Sequence, residues 1–210
     1  MLDFSEHIKF IIALFAIVNP IGAIPIYISL TDGFQVEERR QIVRLTPLAV
    51  VTILLTTLFC GELILKFFGI SVGSFRIGGG ILLLLMATSM LQAKMSRASH
   101  TPVEAEESAD RQSIAVVPLA IPLLSGPGAI SMVIVYAYRA KGLSDYLLIS
   151  GGILLIGISI FLSLLAAPHI SKRLGRTGIN IITRIMGLLL AAIAVEFISN
   201  GIKNLFPALA

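Results

Sequence analysis

Two short stretches place residues able to hold a small polar molecule where the sequence is otherwise apolar. Asn19-Pro20-Ile21-Gly22 and Ser125-Gly126-Pro127-Gly128 each lie inside a long hydrophobic run and set proline beside glycine, with an amide or hydroxyl next to them. Proline lacks an N–H and its ring collides with the carbonyl four residues back. A helix holding Pro20 and Pro25, or Pro118, Pro122 and Pro127, therefore kinks or breaks. In hydrocarbon an unsatisfied backbone group costs several kcal/mol, so a break persists only where protein or a watery cavity supplies partners. The expectation is free N–H groups after Gly22 and Gly128, which attract a carboxylate, and free carbonyls before Pro20 and Pro127, which suit an ammonium or a cation. Asn19, Ser125 and Ser131 add side-chain polarity nearby, with Ser29 and Thr31 further on. A zwitterion such as an amino acid carries both complementary charges. The plainer alternative is a pair of proline kinks that let helices cross without a ligand; the symmetric placement of the two breaks favours a site.

Four charges fall within or at the ends of apolar runs: Glu62, Arg76, Arg184 and Glu196. A charge at a helix centre costs about 2.5–3.5 kcal/mol on insertion scales. Read functionally, these are gating ion pairs or proton-coupling groups. Read structurally, Arg76 snorkels to the headgroups and the two glutamates reach for the interface.

The elements that must position these residues are membrane helices. The 210-residue chain is 56% hydrophobic with a mean hydropathy of +0.95, well above a soluble domain. Spans need roughly 20 apolar residues, and six stretches qualify, at about 8–31, 45–65, 72–93, 114–138, 146–168 and 179–202. The acidic flank of the first, Asp3 and Glu6, argues against a cleaved signal peptide. Residues 32–44 mix acids and bases at helical spacing and extend the second helix into solvent. The polar segment 94–113 is a solvated linker between a first unit, 1–93, and a second, 114–210.

The two halves echo each other. Pro20 and Pro127 lie 107 residues apart, and "RIGGGILL" at 76–83 matches "RIMGLLLA" at 184–191 with an offset of 108. Three spans per half is an odd number, so the second copy must insert upside down. The expected fold is thus an all-α membrane protein of six transmembrane helices, built as two inverted three-helix repeats with the first and fourth helices interrupted. Nine Lys and Arg fall in the connections on one side and five on the other, which places both termini outside. Small residues at Gly79 and Gly187 let helices approach closely.

Several classes are disfavoured. The lone Cys60 forms no internal disulfide, and His7, His100 and His169 are scattered without metal-ligand spacing, so neither metal nor cofactor is expected. The basic residues form no patch suited to nucleic acid. Neither a nucleotide-binding loop nor a hydrolase motif occurs, which points away from an enzyme and toward energy from a proton or sodium gradient, or none.

The motifs "LFAIVNPIGAIPIYISLT" (14–31), "FGISVGSFRIGGGIL" (68–82), "VVPLAIPLLSGPGAIS" (116–131) and "TGINIITRIMGLLL" (177–190) resemble those of the MarC family of integral membrane proteins, in particular its YchE-type branch, across essentially the whole chain. The resemblance implies two inverted three-helix repeats in a bacterial inner membrane and transport of small neutral amino acids such as glycine and alanine. It maps the ligand-facing breaks onto Asn19, Pro20, Ile21 and Gly22 and onto Gly126, Pro127 and Gly128. The second motif departs from the first in having no asparagine; Ser125 is the nearest counterpart. A channel or exporter for another small solute, and a non-transporting scaffold, are the competing readings.

Overall fold

A computed structural model describes residues 3–92 and 113–206; all but Ser113 of the linker 94–113 lies outside them. The described elements are helical. The first half holds α1 (Phe4–Val18), α2 (Ile24–Leu30), α3 (Val36–Phe67) and α4 (Val72–Leu91). In the second half a single 3-10 turn at Ser113–Ala115 leads into α5 (Val116–Leu124), followed by α6 (Pro127–Arg139), α7 (Leu143–Leu165) and α8 (Ala167–Leu205). The order short, short, long, long therefore occurs twice.

Among the described residues, four helices are long and apolar enough to cross a bilayer: Val36–Phe67, Val72–Leu91, Leu143–Leu165 and Thr177–Leu205. The first and fourth apolar runs, expected as interrupted spans, are divided into α1 with α2 and α5 with α6, none of which reaches that length. α3 begins at Val36, as the charge pattern of 32–44 suggests. A capping box starts it, with the Gln35 N–H donating to Glu38 Oε2 at 2.8 Å. Within α8 the backbone turns at Gly175, whose φ of +60° and ψ of −176° belong to a region essentially reserved for glycine. This separates a short basic segment from the span that follows.

α4 and α8 form the tightest pairing, and small residues explain it. A Cβ on Gly201 would stand 2.9 Å from the Gly73 carbonyl, one on Gly80 would meet the Ala194 carbonyl at 3.0 Å, and one on Gly187 the Ala87 carbonyl at 3.2 Å. Gly73, Gly80 and Ala87 are spaced by seven, as are Gly187, Ala194 and Gly201 in the reverse sense. The two helices thus run antiparallel along a seam that only small residues permit. Gly79 faces α6 instead: its Cβ would lie 2.5 Å from Ser131 Oγ. Gly61 brings α3 onto Ile134 of α6, and Gly152 brings α7 onto Phe10 and Ile11 of α1.

Candidate functional site

The first break is a left-handed turn made by one residue. α1 ends at Asn19, with φ +48° and ψ +63°, and the Asn19 N–H donates to the Phe15 carbonyl at 2.9 Å. Asparagine tolerates this conformation better than other residues with a side chain. Pro20 has no N–H to give to the Ala16 carbonyl. The Gly22 N–H, which an unbroken helix would direct at Val18, donates instead to Asn19 Oδ1 at 3.1 Å. The Ala23 N–H closes on the Asn19 carbonyl at 3.2 Å. The expectation of free N–H groups from Gly22 onward is therefore corrected, because Asn19 takes up the Gly22 and Ala23 N–H groups locally, whereas the expected free carbonyls before Pro20 lie further back than Asn19 itself. The carbonyls that lose their helical donors are those of Ala16 and Val18, in a buried last turn. Pro20 is buried, and Ile21 and Gly22 are half-buried.

The second break is built differently. Val117 and Ile121, each directly before a proline, are extended (φ −124° and −122°), as clash with the following ring requires. α5 is accordingly a wide, irregular turn. Ser125 closes it by donating both its N–H and its hydroxyl to the Ala120 carbonyl, at 2.9 and 2.7 Å, so this serine secures the turn rather than offering its proton to a ligand. The extended Gly126 then starts α6, with Pro127 at its first position and no side-chain cap. The N–H groups of Gly128 and Ala129 consequently have no acceptor within their helix. Both residues are buried, as are Gly126 and Ser131, while Pro127 is exposed.

The two breaks adjoin. A Cβ on Gly128 would stand 3.4 Å from Ile17 Cγ2 in the last turn of α1 and would overlap Leu83 of α4. Further along the same two helices, Phe10 and Tyr136 lie with ring centroids 4.9 Å apart, and Arg139 Nη2 reaches Glu6 Oε2 at 2.7 Å. α1 and α6 are thus antiparallel neighbours from end to end. The carbonyl terminus of one lies beside the amide terminus of the other, and a macrodipole gives these ends opposite partial charge.

The four charges proposed as gating or coupling groups are not all gathered in one place, although Arg76 lies within electrostatic reach of Glu196 and of Tyr136 and Arg139 on α6. Glu62 pairs with Lys66 at 2.8 Å on its own helix, Glu196 accepts from Asn200 Nδ2 at 2.7 Å, and Arg184 is exposed. Arg76 is half-buried beside Gly201, and its Nε is buried without a hydrogen-bond partner.

The ionic groups that do join the two halves are others. Glu6, ahead of the apolar run of α1, accepts from Lys9 Nζ at 2.9 Å and from Arg139, whose guanidinium lies 5.3 Å from the Tyr136 ring centre. Lys9, then Arg139, hold the Glu6 carboxyl below its ordinary range, against an opposing effect of burial. Next to it, His7 Nε2 stands 3.8 Å from Asp145 Oδ1, with both side chains buried, and Asp145 Oδ2 accepts the Lys141 N–H at 2.9 Å. Residues so distant in sequence gave no local signal of partnership; their position at the same ends of apolar runs was the only clue.

A family model described as MarC family integral membrane protein matches residues 4–206. The chain is 47% identical to the UPF0056 membrane protein YhcE of Escherichia coli (strain K12), covering 99% of this chain and 96% of that one. It is 46% identical to a UPF0056 membrane protein of Buchnera aphidicola subsp. Schizaphis graminum, covering 100% and 97%. The UPF0056 membrane protein YvbG of Bacillus subtilis (strain 168) is 39% identical over 100% of this chain and 99% of its own length. No solved structure matches.

Proposed function

Because the chain belongs to the MarC family of integral membrane proteins, we propose that it is a secondary transporter of small neutral amino acids such as glycine and alanine, working by alternating access around its two breaks. One observation carries this reading: the carbonyl end of α1 and the uncapped amide end of α6 are buried side by side at Ile17 and Gly128. An ammonium placed at the Ala16 and Val18 carbonyls and a carboxylate at the Gly128 and Ala129 N–H groups are each held by backbone. None of the break residues carries a formal charge, which suits a solute of zero net charge.

An inverted repeat is the architecture we assign. The antiparallel α4–α8 seam supports it: the register of its contacts, Gly73 with Gly201, Gly80 with Ala194 and Ala87 with Gly187, brings positions 83 and 191, which differ by the offset of 108, to the same level at its middle, as a two-fold axis in the membrane plane requires. Six crossings follow if α1 with α2, and α5 with α6, each complete one. In the orientation the charge balance favours, in a bacterial inner membrane, both termini are periplasmic. The Glu6–Arg139 and His7–Asp145 contacts then close the periplasmic face, and transport requires them to part. With no nucleotide-binding motif in the sequence, transport is driven by a proton or sodium gradient or runs passively.

The test is uptake of radiolabelled glycine and alanine into proteoliposomes, with and without an imposed pH or sodium gradient. Saturable uptake with counterflow, lost on changing the break, is the expected result. Unsaturable flux would replace the transporter by a channel, and no flux of either solute would overturn the reading.

A further inference from the structure

We propose that the groove between α3 and α7 is a binding site for an anionic phospholipid, with an acyl chain along the groove and the phosphate on Arg44. The groove is open along its length, offers about 410 Å³ and takes Arg44, Pro47 and Val51 from α3 and Gly157, Ile158 and Phe161 from α7. It exists because Gly157 has no side chain: a Cβ there would overlap Val51, so the two helices touch at the floor while exposed Leu48 and Ile158 stand up as walls. The helices are antiparallel. Phe59 stacks on Tyr146 at one end (centroids 5.9 Å), Val51 meets Gly157 in the middle, and Arg44 and Phe161 share the other end.

Charge complementarity names the occupant. The body of the groove is apolar, and the cationic groups collect at the end where α3 emerges and α7 finishes. Arg40 and Arg44 are exposed one turn apart on α3. α7 ends at Leu165, one turn beyond Phe161, and the short segment before Gly175 follows with exposed Lys172 and Arg173. Apolar length capped by guanidinium at the headgroup level matches an acyl chain joined to a phosphate diester, which arginine engages through paired N–H donors. Basic pockets between helices at a membrane surface select anionic headgroups for this reason. A zwitterionic lipid carries its own ammonium close to the phosphate and gains less from a cluster of cations.

The chain has no tryptophan, so Leu154→Trp, on an exposed wall position of the groove, gives a single reporter. The full-length protein is reconstituted in vesicles of phosphatidylglycerol and phosphatidylcholine in which one or the other lipid carries dibrominated acyl chains, at equal mole fraction. The expected result is an apparent affinity for the anionic lipid about fivefold above that for the zwitterionic one, the scale of one basic group at a membrane surface. Leu188→Trp, on exposed α8, should show a ratio near one. Arg44→Gln should bring the groove reporter to that same ratio. Equal quenching by the two lipids at Leu154→Trp overturns the proposal. So does a preference that survives Arg44→Gln, or a groove reporter that no lipid quenches, as a second copy of the chain seated there would produce.

Discussion

Gly128 stands against Ile17 so closely that a single added carbon would touch it at 3.4 Å and overlap Leu83. This contact sets the two helix ends side by side and also changes what a substitution there does. On the sequence alone, Gly128→Leu would fill space meant for a ligand. In the structure the larger side chain meets Leu83 first. Overpacking of this kind costs typically 1–3 kcal/mol, so Gly128→Leu should lower thermal stability in detergent, and Leu83→Ala in the same chain should return part of it. Solute uptake should stay low in the double variant, because α1 and α6 can no longer meet as they do now. Full uptake in the double variant at equal membrane abundance would show that the contact serves folding alone.

Asn19 allows a cleaner separation of shape from chemistry. Asn19→Gly keeps a residue at ease with φ +48° but deletes the oxygen that takes the Gly22 N–H, whereas Asn19→Ala deletes the oxygen and adds a left-handed cost of about 1–2 kcal/mol. The glycine variant should insert and unfold much like the parent yet show a changed KM for solute, while the alanine variant should also lose stability. Equal KM values for parent and glycine variant would remove Asn19 from the site.

How far this was legible in the sequence differs between the two breaks. Pro20 and Pro127 located both, because a missing N–H and a ring clash act within a few residues. The extended Val117 and Ile121 follow from the prolines after them by the same local rule. What occupies the freed groups is also close in sequence, but several such partners compete and the sequence does not choose among them. Nothing about Asn19 alone says that its own Oδ1 reaches Gly22, and Ser125 looks like a ligand until the irregular α5 turn presents the Ala120 carbonyl to it. The glycines of α4 and α8 were readable as packing residues, but their partners were not: Gly79 and Gly80 are adjacent in sequence and face different helices, α6 and α8. The ionic contacts of Glu6 and His7 depend on tertiary proximity, of which the sequence shows only a shared position at the ends of apolar runs.

The α4–α8 seam can be tested as an architectural element. Gly80 has the Ala194 carbonyl within 3.0 Å of its notional Cβ, so Gly80→Leu must push the helices apart, whereas Gly78, one residue from Gly79 and two from Gly80, has open space and should accept leucine. Thermal unfolding in detergent should fall for Gly80→Leu by the equivalent of about 1–3 kcal/mol and be nearly unchanged for Gly78→Leu. Equal effects would mean that the pair does not pack along this line.

The Glu6–Arg139 pair should behave as a latch on the face that bears the N-terminus. Its carboxyl is held below the ordinary range, so its contribution is complete above that range and is lost as pH falls through the lowered value. The stability gap between the parent and Glu6→Gln should accordingly be present at pH 7 and close well below about pH 4. For the latch itself, Ser131→Cys in a Cys60→Ser background places one thiol beside the break, where burial now protects it. Glu6→Arg sets two cations against each other, and losing a pair worth roughly 1 kcal/mol shifts a closed-to-open equilibrium about fivefold. Labelling of the thiol by a membrane-impermeant maleimide from that face should rise by this factor and return to its original rate when Arg139→Glu restores the pair in reverse. Labelling that ignores both charge changes would show that α1 and α6 do not separate at this end.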